Sequence, residues 1–261
     1  MATVKVLILR AAGTNCDLET QHAWELAGAA AERMHIRRLI ERPALLDEYQ
    51  VLTLPGGFSY GDDIAAGRIL AAQVQRHLLD GVRAFVDAGK LIIGVCNGFQ
   101  VLVQTGLLHG RAGDGAARTC TIAPNEPPGF QARWVYLRAQ TDRCVFLERG
   151  RVYEMPIAHG EGRVAFASEA DFEAVRAGER DALVYSGPRP GEPNVHGEPT
   201  TPNGSTGDIA GMCDETGRVL GLMPHPERFV GWTQHPCWTS QPARAEGDGL
   251  ALFRRAVEWF D

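Results

Sequence analysis

The junction at residues 91–105 restricts the fold more than any other part of the chain. Leu91-Ile-Ile-Gly-Val95 is a short apolar run, and it passes without a spacer into Cys96-Asn97-Gly98 and then Phe99-Gln-Val-Leu-Val-Gln-Thr105. The run reads as a buried strand and the last segment as a helix, so the chain must reverse within two or three residues. A turn that sharp needs small neighbours, and Gly94 and Gly98 bracket the cysteine at G-x-C-x-G spacing. This is the pattern of a nucleophile elbow, in which a strained turn forces one reactive side chain outward. The sulfur then faces the first turn of the following helix, whose free N–H groups suit negative charge.

The remaining segments supply strands and helices for such a turn to sit among. Val4–Leu9 and Val51–Leu54 read as further buried strands. Asp17–Ala30 carries Leu18, His22, Leu26 and Ala29 at helical spacing, which predicts a helix with that face on the sheet. A longer helix is expected from Arg68 to Ala88, stopped by Gly89. Strands that alternate with helices predict an α/β fold with parallel strands and crossover helices. Between about residues 111 and 166 the helical period fades, and the β-branched and aromatic segments Arg133–Leu137 and Arg151–Ile157 predict added antiparallel hairpins.

Residues Gly187–Gly207 are dense in Gly, Pro, Asn and Thr and read as a loop, after which Ile209–Cys213 and Val219–Met223 return to strand. A second loop, about 229–248, holds Trp232 and Trp238, and Gly249–Phe260 closes the chain as an amphipathic helix. The expectation is one domain over residues 1–261 with that extended C-terminal loop. The loop either packs on the core or forms part of a subunit interface, where Trp is enriched.

Composition narrows the function classes. The 261 residues are 44% hydrophobic and 22% charged with a formal net charge of −6, ordinary globular usage with no basic footprint for phosphates. Nucleic acid and anionic membrane surfaces are therefore not expected partners. No apolar run approaches the roughly 20 residues that span a bilayer, and the N-terminal residues do not read as a secretion signal. The 6 cysteines are scattered without a C-x-x-C pair, which fits a reducing cytoplasm and gives no zinc or dithiol motif.

A cysteine that performs acyl transfer needs a base, and the base needs an orienting carboxylate. Met223-Pro-His-Pro-Glu-Arg228 offers His225 and Glu227 directly after an apolar strand; in an extended segment the two side chains would point the same way. Oxyanion donors are expected from the backbone N–H of Gly57, in Pro55-Gly-Gly-Phe58, and from that of Asn97 beside the nucleophile. Asp62 and Asp63 read as loop-capping carboxylates, and no metal site is expected. No phosphate-loop or dinucleotide motif is present. A cysteine-based α/β-hydrolase is disfavoured, because in that fold the triad acid precedes the histidine. A catalytically silent binding module would require all three triad types to be present without the geometry.

Together these segments resemble the class I, or triad, glutamine amidotransferases. The match is closer still to the glutaminase subunits of phosphoribosylformylglycinamidine synthase. It is carried by 55–63 (PGGFSYGDD), 94–100 (GVCNGFQ), 158–162 (AHGEG), 202–205 (PNGS), 209–211 (IAG) and 221–228 (GLMPHPER), in the family's order. The resemblance implies a flavodoxin-like, mostly parallel sheet with helices on both faces, and a triad of Cys96, His225 and Glu227. It further implies hydrolysis of L-glutamine to L-glutamate and ammonia through a Cys96 thioester, with Phe58, Gln100, His159 and Glu161 lining the glutamine pocket. The implied partners are the large synthetase subunit of that synthase, with a small assembly subunit. No cofactor is expected on this chain; ATP and magnesium would serve the synthetase, which makes formylglycinamidine ribonucleotide for purine biosynthesis. The 229–248 loop departs from many short bacterial subunits and looks more like the large fused enzymes.

If the elbow is catalytic, Cys96→Ala abolishes ammonia release from glutamine, while synthesis from free ammonia survives in the assembled complex; a coupled assay with each nitrogen source measures both.

Overall fold

In the computed structural model, which describes residues 3–108, 118–189, 192 and 201–261, the apolar run before Cys96 is strand β4 of a nine-stranded sheet. The strands, in chain order, are β1 (Lys5–Arg10), β2 (Ala30–His35), β3 (Val51–Leu54), β4 (Leu91–Val95), β5 (Cys120–Pro124), β6 (Gln131–Ala139), β7 (Val152–His159), β8 (Glu161–Phe166), β9 (Leu183–Ser186), β10 (Ile209–Cys213) and β11 (Val219–Leu222). The main sheet runs β2-β1-β3-β4-β11-β10-β9-β6-β7, and β5 pairs with β8 as a separate ribbon. From β2 to β11 all neighbours are parallel. From β11 to β7 they are antiparallel, the added hairpins that the sequence predicts.

Two helical layers cover the parallel half, and β3 shows why. Side chains of a strand alternate between faces. Leu52 and Leu54 line an apolar space with Val74, Leu78, Val82, Val101 and Leu102, which belong to or adjoin α3 (Arg68–His77), α4 (Leu79–Asp87) and α5 (Asn97–Thr105). Thr53, on the opposite face, accepts a hydrogen bond from Trp24 Nε1 at 3.0 Å. Trp24 belongs to α1 (Asp17–Leu26) and meets Phe253 of α7 (Leu250–Glu258) edge to face at 4.9 Å. The two remaining helices are α2 (Ile36–Glu41) and α6 (Glu169–Ala177).

Several local expectations need correction. The first helix ends at Leu26 rather than Ala30, and residues 30–35 form β2. As an edge strand, β2 exposes much of its AAERMH sequence and lacks an apolar alternation; its pairing with β1 defines it. The buried face of α1 also differs from the expected one. Leu18 and Leu26 are exposed, while Asp17, Thr20, Ala23 and Trp24 are buried. Trp24 supplies the large apolar contact, and Asp17 is held by Arg10 and Arg33 at 3.2 Å each. The expected 68–88 helix is interrupted at Leu78. Helix α6 and strand β9 have no counterpart among the expected elements. Most of 190–200 lies outside the described residues.

The C-terminal loop packs on the core. Phe229 and His235 meet Trp134 of β6 at 5.0 and 4.5 Å. His235 Nε2 lies 3.2 Å from Glu154 Oε1, and Trp232 is buried while Trp238 is exposed.

The elbow is strained and tightly fitted. Cys96 has φ 51° and ψ −105°, outside the regions that L-residues favour. A Cβ on Gly98 would lie 1.9 Å from the Leu54 carbonyl oxygen, and one on Gly94 would lie 2.7 Å from Gly98 O. Backbone cannot give way there, so Gly98→Ala is expected to destabilise the fold by about 3 kcal/mol. Gly81→Ala, with nothing within 4 Å in α4, is expected to be neutral or to stabilise by up to about 1 kcal/mol. Urea denaturation of the two variants measures the contrast.

Candidate active site

The site forms where the parallel strands end. Beyond β1 come Asn15 and Cys16, beyond β3 Gly57 and Phe58, beyond β4 Cys96, and beyond β11 His225. A cavity of about 310 Å³ joins them, lined also by Gln100, Phe130, Ala158, His159, Glu161 and Arg228. That is the small end of ligand-site volumes. The carboxyl ends of strands are the ordinary place for ligands in open α/β sheets. A larger groove of about 650 Å³ lies by Arg138, Tyr185 and Asp208, but no cysteine or histidine among the described residues lines it.

The antiparallel half reaches this point although pairing order puts β7 far from β4. The His225 N–H donates to Pro156 O of β7 at 2.9 Å, which fixes the His225 segment against the other end of the sheet. The Cys96 thiol lies 3.8 Å from the Ala158 carbonyl, its hydrogen-bond acceptor.

His225 and Glu227 meet as expected, through a different backbone. Pro226–Arg228 is a 3-10 turn rather than an extended segment. Within it the His225 Nδ1–H donates to Glu227 Oε1 at 2.6 Å, both groups buried. Nδ1 is thereby committed to the carboxylate, which leaves Nε2 to the sulfurs of Cys96 and Cys16. Burial pushes the imidazole pKa down, but the Glu227 charge and the nearby Cys96 and Cys16 sulfurs outweigh burial and leave it well above the usual value.

The oxyanion assignments rest on free backbone donors. Phe58 N–H is spent on Gly13 O at 3.0 Å, whereas Gly57 N–H has no acceptor among the described residues and Gly57 has φ 137°. Asn97 opens α5, where the first N–H groups have no intrahelical acceptor. The Asn97 side chain buttresses the site: Oδ1 accepts from Ser59 N–H at 3.3 Å, and Nδ2 donates to Asp62 Oδ1 and Gln100 Oε1 at 3.1 Å each. Asp62 also accepts from Gly67 N–H, a loop-capping role. Gln100 Nε2 donates to Glu161 O at 2.6 Å, so this side chain is a wall of the cavity that ties α5 to β8.

Sequence reasoning missed Cys16. Burial raises its thiol pKa, against the pull of the neighbouring His225 ring. Arg228 Nη2 donates to its sulfur at 3.2 Å and Arg228 Nε donates to Glu19 at 2.9 Å, which ties the base segment to α1. The strand-end rule was the available signal, since Cys16 follows β1. Ligand atoms of Cys16, His225 and Glu227 lie within 4.8 Å of one another, but the short His225–Glu227 hydrogen bond already occupies Nδ1 in the manner of a base and its orienting acid.

A family model for the CobB/CobQ-like glutamine amidotransferase domain matches residues 3–260. The chain belongs to the CobB/CobQ-like glutamine amidotransferases. Among curated relatives of this amidotransferase, phosphoribosylformylglycinamidine synthase subunit PurQ of Dehalococcoides mccartyi is 45% identical over 261 residues, covering 99% of this chain and 98% of the relative. The subunit of the same name from Methanococcus maripaludis is 37% identical over 267 residues, covering 98% and 97%. A chain of the Thermotoga maritima PurLQS structure is 29% identical, with TM-score 0.72 and complete coverage of both chains, 100% each. Another glutamine amidotransferase of Thermotoga maritima, 15% identical with TM-score 0.52 over 92% of this chain and 82% of that one, shows the shared flavodoxin-like fold alone.

His159 gives the site a pH signature. Burial, then the nearby His225 charge, lowers its pKa to about 3. Because that lies below the ordinary value of about 6.5, the unfolded chain takes up a proton between the two that the folded chain refuses. This contribution is complete above about pH 6.5 and is lost as pH falls, by about 1.4 kcal/mol per unit. His225 acts oppositely: its raised value stabilises fully below about pH 6.5 and loses that as pH rises through the folded value. Urea midpoints measured from pH 7 to pH 4 are expected to fall less steeply for His159→Gln than for the parent chain.

Proposed function

We infer that this amidotransferase is the glutaminase subunit of phosphoribosylformylglycinamidine synthase, and that Cys96, His225 and Glu227 carry the hydrolysis. The observation that carries the mechanism is the alignment at the strand ends: a strained elbow cysteine, a buried histidine committed to a carboxylate through Nδ1, and unspent N–H groups from two loops.

The raised His225 value means that Nε2 already holds the Cys96 proton before the attack, and Sγ bonds as a thiolate to the side-chain carbonyl carbon of L-glutamine. Negative charge then moves to the amide oxygen, where Gly57 N–H and Asn97 N–H donate. As the intermediate collapses, the C–N bond breaks and the proton held by His225 leaves with nitrogen as ammonia. A γ-glutamyl thioester remains on Cys96. Water, deprotonated by His225, attacks the thioester, and L-glutamate and the thiol are released. Glu227 keeps the imidazole oriented and balances its transient charge. Phe58, Gln100, His159 and Glu161 shape the cavity in this reading.

The ammonia passes to a large synthetase subunit that converts formylglycinamide ribonucleotide into the amidine with ATP and magnesium; a small subunit helps the complex to assemble. The names of the relatives support these partners. This chain needs no cofactor for the steps above. No helix among the described residues is long and apolar enough to cross a membrane, which accords with the cytoplasmic location we propose.

The test combines purified chain and synthetase subunit. Glutamine-dependent release of ammonia and glutamate in equal amounts, and labelling of Cys96 by a glutamine-like electrophile, are the expected results. An assembled complex that hydrolyses esters but releases no ammonia from glutamine would overturn the reading.

A further inference from the structure

One face of the antiparallel half of the sheet is only partly covered. Register places Tyr136 beside Glu154 and Ser186, and Arg138 beside Val152 and Val184, so these side chains share that face. The 229–248 loop covers the Glu154 end, where His235 meets the carboxylate. Arg138, Val152, Val184 and Ser186 instead line the groove of about 650 Å³, with α6 and the turn at Gly207 and Asp208 as its sides.

Two opposite charges in that groove are unpaired. Arg138 makes no ion pair among the described residues, and its Nε is buried without a hydrogen-bond partner. The Asp208 N–H donates to Ser205 O at 3.2 Å, but its carboxylate has no partner among the described residues. Partial burial raises the Asp208 carboxyl pKa, and no neighbouring cation offsets it, so Arg138 and Asp208 are held apart. The flanking charges are answered: Arg189 meets Glu192 at 3.5 Å, and the Arg176 charge acts on Asp181.

Unpaired charges that are half withdrawn from water cost stability. Asp208 adds backbone strain, because its φ of 57° lies in the left-handed region. Gly207 before it has φ 60° and lies against Phe172, where a Cβ would come 2.6 Å from the ring. The turn is pinned to α6 in this way, and Asp208 stays at the groove. Folds retain such costs where function needs the groups.

We propose that this groove binds a free α-amino acid, its carboxylate on Arg138 and its ammonium group on Asp208. One cation and one anion kept apart are complementary to a molecule that carries one of each. The guanidinium offers a carboxylate two parallel hydrogen bonds, and the ammonium N–H groups suit an acceptor-only carboxylate. An inorganic anion would satisfy Arg138 and be repelled by Asp208. The groove has the volume of a small-molecule site. It excludes Cys96 and His225, so the proposal stands apart from the glutaminase reading.

The experiment records thermal unfolding of the full chain with each common L-amino acid, for parent, Arg138→Gln and Asp208→Asn. Asn tolerates the left-handed backbone, so the second substitution removes the charge and keeps the turn. At least one amino acid is expected to raise the parent Tm, with a Kd about tenfold weaker in each variant. Without ligand, both variants are expected to melt at or above the parent temperature, since each loses an unpaired charge. A second arm needs only the parent chain: the N-acetyl and carboxamide derivatives of the bound amino acid, lacking ammonium or carboxylate, are expected to give no shift. The proposal fails if no amino acid raises Tm, if both derivatives or inorganic phosphate reproduce the shift, or if every shift is indifferent to both substitutions. Indifference of that kind marks binding in the Cys96 cavity.

Discussion

The close approach of the Gly98 backbone to the Leu54 carbonyl, at the ends of β4 and β3, is the contact on which the site depends. Only a residue without a Cβ fits there. The fit lets α5 start immediately after β4, and the reversal forces Cys96 into a strained backbone conformation with positive φ. The strain places the sulfur in the cavity and turns the first amides of α5 toward the same space. The positions of the Cys96 sulfur and of the Asn97 amide are thus consequences of one turn, held by a core whose neighbouring strands are buried along their length.

Around that turn the chain tethers the His225 segment in several directions. His225 is fixed by Glu227 at its ring, by Pro156 of β7 at its backbone, and through Arg228 by Cys16 and Glu19 beside β1. A second set of polar contacts builds the opposite wall. Asn97 joins the elbow to the 59–67 loop and to Gln100, Gln100 joins α5 to β8, and Asn125 joins the β5–β8 ribbon to His159. Polar side chains at this depth are hydrogen-bonded, as burial requires. Nε2 of His159 is buried without a partner.

Much of this was legible in residue order because it is local. An apolar strand, two glycines and a helix pattern announce the elbow, and the two-residue spacing of His225 and Glu227 suffices for their pairing even though the backbone between them is a 3-10 turn. Elements defined by partners were invisible. Strand β2 is polar and exposed in its own right and exists through β1. The buried face of α1 was equally hidden, because leucines at helical spacing outweigh, in residue order, the Trp24 and Asp17 that the neighbouring elements hold.

Sequence by itself determined the elbow at Cys96, the pairing of His225 with Glu227 and the alternation of strands with helices, since each rests on residues close in the chain. Tertiary structure alone decided that β7 meets the His225 segment, that Cys16 sits beside Arg228, and that Asn125 faces His159 Nδ1. Those contacts join residues separated by 34 to 212 positions. At such separations no periodicity or spacing carries the information; the twist and pairing of the sheet do.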